Sequence, residues 1–186
     1  MVIATIFVSS FQRPDVVSYA PTTELPGAAG GALVTATVTL DARDGEAWTF
    51  YSFDRGATID GTRDPEWDVA FQRFHFVTNG GEGYPGEAGA LALEAPFDSV
   101  AEAPIDGYAA TTGRLADGPV NPELERWYEY SFFAHTLRPK PATYVIRTAD
   151  RRFAKLEILS YYCPEATPGC ITFRYAYQGS GARALE

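Results

Sequence analysis

The chain of 186 residues has little that would place it inside a membrane. It contains no apolar run of about 18 residues, so no segment predicts a membrane-crossing helix, and a soluble protein is expected. The apolar start, residues 1–10, lacks the basic beginning and the small-residue cleavage pattern of a signal peptide. Three origins stay open for this segment: the remnant of a signal that begins upstream, an early strand, or a segment that docks on another protein.

Positive charge is also scarce. Lys and Arg together number 15 against 24 Asp and Glu, which gives a formal net charge of −9. Proteins that bind nucleic acids neutralise phosphates with clustered Lys and Arg, and a chain with this balance does not offer such a surface. We therefore expect no nucleic-acid partner.

Sequence motifs of enzymes are missing as well. There is no G-x-S-x-G nucleophile elbow and no H-E-x-x-H metal motif. Asn79-Gly80-Gly81 is not followed by a helical pattern, so it does not indicate a phosphate-binding loop. Asp60, Asp64, Glu66 and Asp68 are spread along a strand and its approach, without the spacing of a calcium loop, and are expected to form a solvated face. The sequence predicts a protein that is not an enzyme.

Cysteine is limited to Cys163 and Cys170. The six residues between them include two Pro and one Gly, a composition that lets two strand ends approach to disulfide distance. A zinc site needs about four ligands, and no second Cys or His pair is available. A disulfide is therefore predicted, which favours an oxidising compartment.

Aromatic residues, by contrast, are abundant. They make up 14% of the chain, with 11 Tyr and 12 Phe, and 17 Gly and 13 Pro separate many short segments. Alternation of apolar and polar residues predicts strands, and helical periodicity is nearly absent. The expected fold is an all-β, sandwich-like antiparallel domain. Strands are predicted at residues 33–40, 47–53, 67–78, 88–95, 125–133, 142–148, 153–162 and 170–178, and one helical turn at residues 121–124, with Asn121 as its cap.

Two of these patterns make specific predictions. Residues 67–78 are apolar at both odd and even positions, which predicts one central strand covered on both faces. Phe74 and Phe76 are expected to face one way, and Val69, Phe71 and Val77 the other. The last two strands predict an antiparallel hairpin. Its inner face is expected to combine Ala154, Leu156 and Ile158 with Ile171, Phe173, Tyr175 and Tyr177.

The chain is predicted to form one domain with an irregular N-terminal extension. Residues 12–31 are rich in Pro, Gly, Ala and Thr without a period. We therefore divide the chain into an extension, residues 1–31, and a β domain, residues 32–186.

Two aromatic passages carry a resemblance to a known family. The first is "WD-x-A-F-x-R … TNGG", from Trp67 to Gly81. The second begins with "WY-x-Y" at Trp127 and runs through "Y-V-I-R-T-A-D" and "A-K-L-x-I-x-S-Y-Y" to "G-x-I-T-F-x-Y-x-Y". Together they resemble the HmuY-like proteins, haem-binding proteins of the bacterial cell envelope. The resemblance covers roughly residues 32–179.

The resemblance implies haem or a porphyrin as the ligand and, for haem, a pair of His or of Met residues as iron donors. Met1 is the only methionine, so His135 and His75 are the candidate ligands. His135 follows the "WYEY" strand, where such proteins place a ligating loop. In the alternative interpretation, His135 is a loop residue that bonds backbone or water, and His75 is a buried, hydrogen-bonded strand residue. The segment 107–120, where a second ligand is expected, has no His or Met.

Arg73, Arg138 and Lys140 are the candidate partners of the haem propionates. The resemblance further implies the periplasm or the cell-surface side of a Gram-negative envelope, with an outer-membrane transporter as a partner. One alternative of a different class stays open: an extrinsic structural subunit that docks on a membrane protein complex through the N-terminal arm and the β domain, without haem.

Overall fold

Short strands joined by Gly- and Pro-rich connections account for most of the fold. The structure is a computed structural model that describes residues 15–61 and 63–186. In that part of the chain the strands are β1 (Leu33–Asp41), β2 (Thr49–Ser52), β3 (Ala57–Ile59), β4 (Val69–Gln72), β5 (His75–Thr78), β6 (Gly89–Leu93), β7 (Tyr128–Ser131), β8 (Thr136–Pro139), β9 (Thr143–Arg147), β10 (Phe153–Cys163) and β11 (Thr167–Gln178). Three short 3₁₀ helices lie at Phe97–Ser99, Leu115–Asp117 and Pro164–Ala166. No helix of the described residues has the length and apolarity needed to cross a bilayer.

The strands form two main sheets and one separate hairpin. The first sheet has the order β1-β11-β10-β9-β6, the second has the order β3-β2-β4-β5, and β7 pairs only with β8. All these pairs are antiparallel. The predicted all-β, antiparallel class is confirmed.

Aromatic side chains of the two main sheets pack against each other to form the core. Tyr51 of β2 contacts Phe173 of β11 with a ring distance of 5.7 Å, and Phe53 contacts Tyr175 at 5.2 Å. The hydroxyls of Tyr51 and Tyr175 are 3.1 Å apart, so two buried polar groups satisfy each other. Rings of this size remove large apolar areas from water and dominate the stability of such a core.

The predicted terminal hairpin is confirmed. β10 and β11 pair with Ala154 opposite Tyr177, Leu156 opposite Tyr175 and Ile158 opposite Phe173. All of these side chains are buried in the main core.

The prediction of one long strand over residues 67–78 is wrong. The chain turns back at Arg73 and Phe74, so that β4 and β5 form a hairpin in which Gln72 lies opposite His75. Arg73 adopts a positive φ of 55°, which a two-residue hairpin loop demands and for which Gly or Asn is the usual signal. After the turn, the alternation of side chains between the two faces starts anew. Phe76 therefore lies opposite Phe71 on the same face of the sheet, and the two rings stack with centroids 4.3 Å apart. Val77 faces the other way, with Trp67.

Asp68 does not belong to a solvated face, as the sequence pattern suggested. Its side chain is buried, with 4% of the residue exposed. One carboxylate oxygen accepts the Phe53 N–H at 2.7 Å, and the other accepts the Ala149 N–H at 2.9 Å. These donors follow β2 and β9, so the carboxylate joins the two main sheets. Asp60 and Glu66 are exposed, as expected.

Asn79 and Gly80 of the "TNGG" motif hold the chain beside this junction. The Asn79 amide donates to the carbonyls of Pro65 and Trp67 at 2.6 and 2.8 Å. Gly80 lies so close to Ala88 that a Cβ atom would be 1.9 Å from the Ala88 carbonyl oxygen. Both residues therefore serve the fold.

The described part of the N-terminal lead-in lies on the β domain. Tyr19 donates its N–H to the Tyr162 carbonyl, and Ala29 donates to the Asp54 carbonyl, both at 2.9 Å. Val16 and Leu25 pack against the main core. The proposed boundary between residues 31 and 32 stays a prediction.

A disulfide joins Cys163 and Cys170 across the end of the β10–β11 hairpin, as predicted. We expect its removal in the double variant Cys163→Ala/Cys170→Ala to lower the free energy of unfolding by roughly 2–3 kcal/mol, because a loop this short regains conformational freedom in the unfolded chain. Urea unfolding of both proteins checks this. An unchanged midpoint for the variant would contradict the stabilising role.

The burial of Asp68 generates a prediction on pH. Burial raises the pKa of this carboxyl from 3.8 to about 7, although the two backbone N–H groups act in the opposite direction. Between pH 3.8 and about pH 7, the Asp68 carboxyl is protonated in the folded chain and ionised in the unfolded chain. The contribution of Asp68 to stability is therefore largest at about pH 4 and falls as the pH rises to about 7.

The test compares the wild type with Asp68→Asn, an uncharged variant of similar shape, by urea unfolding at both ends of this window. Because one pKa unit corresponds to about 1.4 kcal/mol, the wild type should lose up to about 4 kcal/mol relative to the variant on going to the higher pH. A constant difference between the two proteins would contradict the raised pKa.

Candidate functional site

The β7–β8 hairpin does not pair with either main sheet, but Tyr128 and Leu137 pack against the main core. Its strands pair from Tyr128 opposite Pro139 to Ser131 opposite Thr136. Its base is fixed by the buried Trp127, whose indole N–H donates to the Phe74 carbonyl at 2.9 Å and whose own carbonyl accepts the Lys140 N–H at 2.9 Å. The hairpin is therefore anchored at its base, and also along β8, where the Leu137 N–H donates to the Tyr162 hydroxyl at 2.8 Å.

The approach to this base was predicted from the sequence. Leu124 and Glu125 donate their N–H groups to the Asn121 carbonyl, and the Asn121 side chain accepts the Glu123 N–H at 3.1 Å. These bonds make the expected helical turn with Asn121 as its cap. The turn leads directly into Trp127.

The tip of the hairpin, residues 130–135, presents aromatic side chains to solvent. Phe133 is fully exposed, Phe132 is 79% exposed and Tyr130 is 45% exposed. Tyr130 and Phe132 contact each other edge to face, with centroids 5.1 Å apart. Exposed apolar side chains that cluster on a folded domain are typical of a surface that binds a ligand, a membrane or another protein.

His135 lies in this tip, where the resemblance places a ligand. Its Nδ1 atom is 2.7 Å from the Tyr130 hydroxyl, so it bonds a side chain rather than backbone. Its φ is 51°, a conformation that His adopts more readily than most residues. Nε2 has no hydrogen-bond partner among the described residues and is available as a donor to a metal.

His75 has a different environment, and its interpretation as a buried strand residue is wrong. It is exposed as the first residue of β5, because the turn at Arg73 ends the preceding strand. Its ring lies on Phe74, with centroids 4.5 Å apart. It borders a cleft of about 330 Å³ whose walls include Val120, Arg126 and Tyr128.

The two imidazoles have different neighbours along the hairpin. His75 is connected to the hairpin through Phe74, which contacts Tyr128 at 5.9 Å near the base. His135 contacts Tyr130 at the tip. In the described part of the chain, the two His side chains share neither a hydrogen bond nor a ring contact.

The three candidate cations have different surroundings. Arg73 donates to the Arg43 carbonyl at 3.3 Å. Arg138 borders a cleft of about 220 Å³ beside Val16 and Tyr161. Lys140 borders a larger cleft of about 640 Å³.

Several residues of this region escaped the sequence analysis. Arg126 borders both the His75 cleft and the Lys140 cleft. The exposed pair Phe132 and Phe133 could have been noticed, because two adjacent Phe residues in a connection break the alternation of the strands around them. The hydrogen bond between Tyr130 and His135 could not be predicted from the sequence, in which the two residues are merely close together.

The tip combines His and Tyr side chains with exposed apolar rings. Haem iron takes one or two axial donors, among them His and Tyr, and its macrocycle needs apolar surface. The tip offers both donor types beside two exposed Phe rings. In residues 15–61 and 63–186 no group of three or more His, Cys, Asp or Glu side chains is placed to hold a metal ion.

A second polar cleft, of about 340 Å³, lies at the junction made by Asp68. Its other carboxylates are engaged by cations: Arg152 contacts Asp54 at 2.6 Å and Asp150 at 3.0 Å. Arg55 contacts Glu66 at 2.5 Å. These pairs hold the connections between strands.

Solved structures of other proteins share this fold. The apo HmuY analog of Tannerella forsythia has a TM-score of 0.64 at 18% identity, covering 89% of this chain and 99% of that protein. A Bacteroides vulgatus protein described as HmuY-like and haem-binding has a TM-score of 0.57 at 20% identity, covering 87% and 98%. A Bacteroides fragilis protein described as a lipoprotein has a TM-score of 0.61 at 19% identity, covering 77% and 89%.

A comparison with curated proteins gives no match. The sequence model of the HmuY protein family matches residues 44–175, a stretch that includes the first aromatic passage, the second as far as Tyr175, the sheet junction and the β7–β8 hairpin. This match spans well over half of the chain, and the chain therefore belongs to the HmuY family.

Proposed function

We propose that the protein is a non-enzymatic haem-binding protein of the bacterial envelope, with the iron held at the tip of the β7–β8 hairpin beside Tyr130 and His135. One observation carries the proposal: an exposed imidazole has one nitrogen fixed by a phenol hydroxyl at 2.7 Å and the other nitrogen without a partner among the described residues. Metal-binding His side chains are commonly fixed in this way through their second nitrogen.

The surroundings of the pair support the same ligand. Haem is a flat, mostly apolar molecule, and Phe132 and Phe133 offer apolar surface next to the donor atoms. Arg138 is the cation that the hairpin itself carries, and we assign it to the propionates. Lys140, just beyond β8, is the second candidate, whereas Arg73 is engaged with the Arg43 carbonyl.

Family membership and the relatives support the class of ligand and the location. The Bacteroides vulgatus relative is described as haem-binding and the Bacteroides fragilis relative as a lipoprotein. The Cys163–Cys170 disulfide favours an oxidising compartment. We therefore propose the periplasm or the cell-surface side of the envelope, with an outer-membrane transporter as the partner.

The alternative of an extrinsic subunit that docks through its N-terminal arm gains no support from the described residues. Residues 15–31 lie on the β domain of their own chain, where Tyr19 bonds Tyr162 and Thr22 bonds Thr39. That part of the arm is therefore bound to the β domain of its own chain.

We expect haem binding to depend on His135 and not on His75. His135→Ala removes the imidazole from the tip and should weaken haemin binding by about 10–100-fold, in line with other changes at metal sites. His75→Ala is the matched control, because it also removes an exposed imidazole beside a Phe ring. Absorbance titration with haemin measures both affinities. A wild type that gives only a weak, non-saturating change would refute the proposed function.

We also expect the exposed Phe pair to contribute to binding. The variant Phe132→Ala/Phe133→Ala should weaken haemin binding by about tenfold or more, because each lost ring removes apolar contact with the macrocycle. Its thermal stability should be unchanged, since neither ring is buried. Ile105→Ala removes another exposed apolar side chain, away from the hairpin, and serves as the control. Equal haemin affinity for both variants would contradict a macrocycle contact at the tip.

A further inference from the structure

The second sheet, β3-β2-β4-β5, has apolar side chains on both of its faces. Along β2, Tyr51 belongs to the main core, whereas Phe50 belongs to a second apolar cluster on the opposite face. Partly exposed side chains pack against this second cluster, among them Trp48, Ile59 and Leu115. Together with Phe50 they border a cleft of about 700 Å³, which we name the Trp48 cleft. Its volume is typical of a small-molecule site.

Trp48 is held in a defined orientation at the wall of this cleft. Its indole N–H donates to the Leu115 carbonyl at 3.2 Å, across the two segments that border the cleft. Trp67 and Trp127 are buried and contact other rings. Trp48 is partly exposed and makes no ring contact or cation–π contact with the described residues. Because the indole ring attracts cations more strongly than the other aromatic side chains do, Trp48 offers a preorganised surface for a cation.

The charges that line the Trp48 cleft have one sign. Glu46 and Asp60 are the charged side chains of the lining, which contains neither Lys nor Arg. Asp60 contacts Arg63 at 3.4 Å, whereas Glu46 is exposed and forms no ion pair with the described residues. A lining of this kind attracts cations and repels anions. It therefore disfavours haem, whose two propionates are negatively charged.

We infer that the Trp48 cleft binds a small organic cation with an apolar body, of the quaternary ammonium class. The cationic head contacts the Trp48 ring on the side of Glu46, and the apolar body contacts Phe50 and Ile59. Aromatic surfaces are the usual means by which proteins recognise quaternary ammonium groups. The inference goes beyond the proposed function, because this ligand differs from haem in charge and size and uses none of the residues of the hairpin tip.

Two probes of equal shape separate the effect of charge from that of apolar contact. Choline carries a trimethylammonium group, and 3,3-dimethylbutan-1-ol has a neutral tert-butyl group in its place. Benzyltrimethylammonium keeps the positive charge and adds an apolar ring. Titration of the full chain with each probe is followed by NMR, through the indole N–H signals of the three Trp residues. Trp67 and Trp127, which do not border the cleft, serve as internal controls.

We expect both cations to shift the Trp48 signal in a saturable way and to leave the other two indole signals unchanged. Choline should bind at least about tenfold more tightly than the neutral alcohol, because only the cation is attracted by the indole ring and the carboxylates. Benzyltrimethylammonium should bind more tightly than choline, because its ring adds apolar contact with the sheet.

Two variants test the assigned roles, with the backbone signals of Gly45 and Gly118 as the readout. Trp48→Leu keeps an apolar side chain but removes the indole ring, and it should weaken benzyltrimethylammonium binding about tenfold. Glu46→Gln removes an exposed charge without a change in packing. It should weaken binding about threefold, and high salt should reduce this difference. Glu24→Gln removes an exposed carboxylate that does not border the cleft, and it should bind as the wild type does.

Three results would overturn the inference. Equal affinities for choline and the neutral alcohol would mean that the cleft binds apolar groups regardless of charge. Wild-type affinity in both Trp48→Leu and Glu46→Gln would mean that the cation binds elsewhere. The absence of a saturable shift at Trp48 with either cation would mean that the cleft is not a cation site. None of these results bears on haem binding at the hairpin tip, which the haemin titrations test separately.

Discussion

The buried carboxylate of Asp68 is the interaction on which the arrangement of the two sheets depends. It receives N–H groups from the ends of β2 and β9, so a single side chain fixes one sheet relative to the other. Around it, Asn79 binds the carbonyls of Pro65 and Trp67, and Gly80 allows the close approach of Ala88. Removing such a carboxylate would leave two buried N–H groups without partners, which is more costly than the loss of an exposed ion pair.

The positions of Asp68 and Asn79 show which part of the structure the "WD" and "TNGG" motifs form. "WD" and "TNGG" belong to the junction of the sheets, whereas the candidate haem site lies on a separate hairpin. The motif therefore reports the fold, whereas in the function proposed above the ligand depends on a few residues at the tip of the hairpin. Two proteins can share the junction and differ at residues equivalent to Tyr130, Phe132 and His135.

The sequence predicted those parts of the structure that depend on local pattern. The β10–β11 hairpin, the disulfide and the helical turn at Asn121 all follow from alternation, spacing or capping chemistry. The turn at Arg73 was missed because it contains no Gly or Asn, and the burial of Asp68 was missed because its two donors come from Phe53 and Ala149, far away along the chain. The same holds for the candidate site: the sequence named both His residues as candidates, but the neighbours of each are decided by tertiary contacts of Phe74, Tyr128 and Tyr130.

The N-terminal lead-in also protects an edge. β1 pairs with β11 on one side only. The backbone N–H and C=O groups on the other side of this nine-residue edge strand could pair with a strand of another chain. Thr22 covers this edge near the C-terminal end of β1: its N–H donates to the Thr39 carbonyl, and its hydroxyl accepts the Thr39 N–H at 2.8 Å. One residue thus satisfies both backbone groups that a neighbouring strand would use. A chain that began at Ala32 would lose this protection together with the core contacts of Val16, Leu25 and Ala29, and the free edge of β1 would be open to edge-to-edge aggregation.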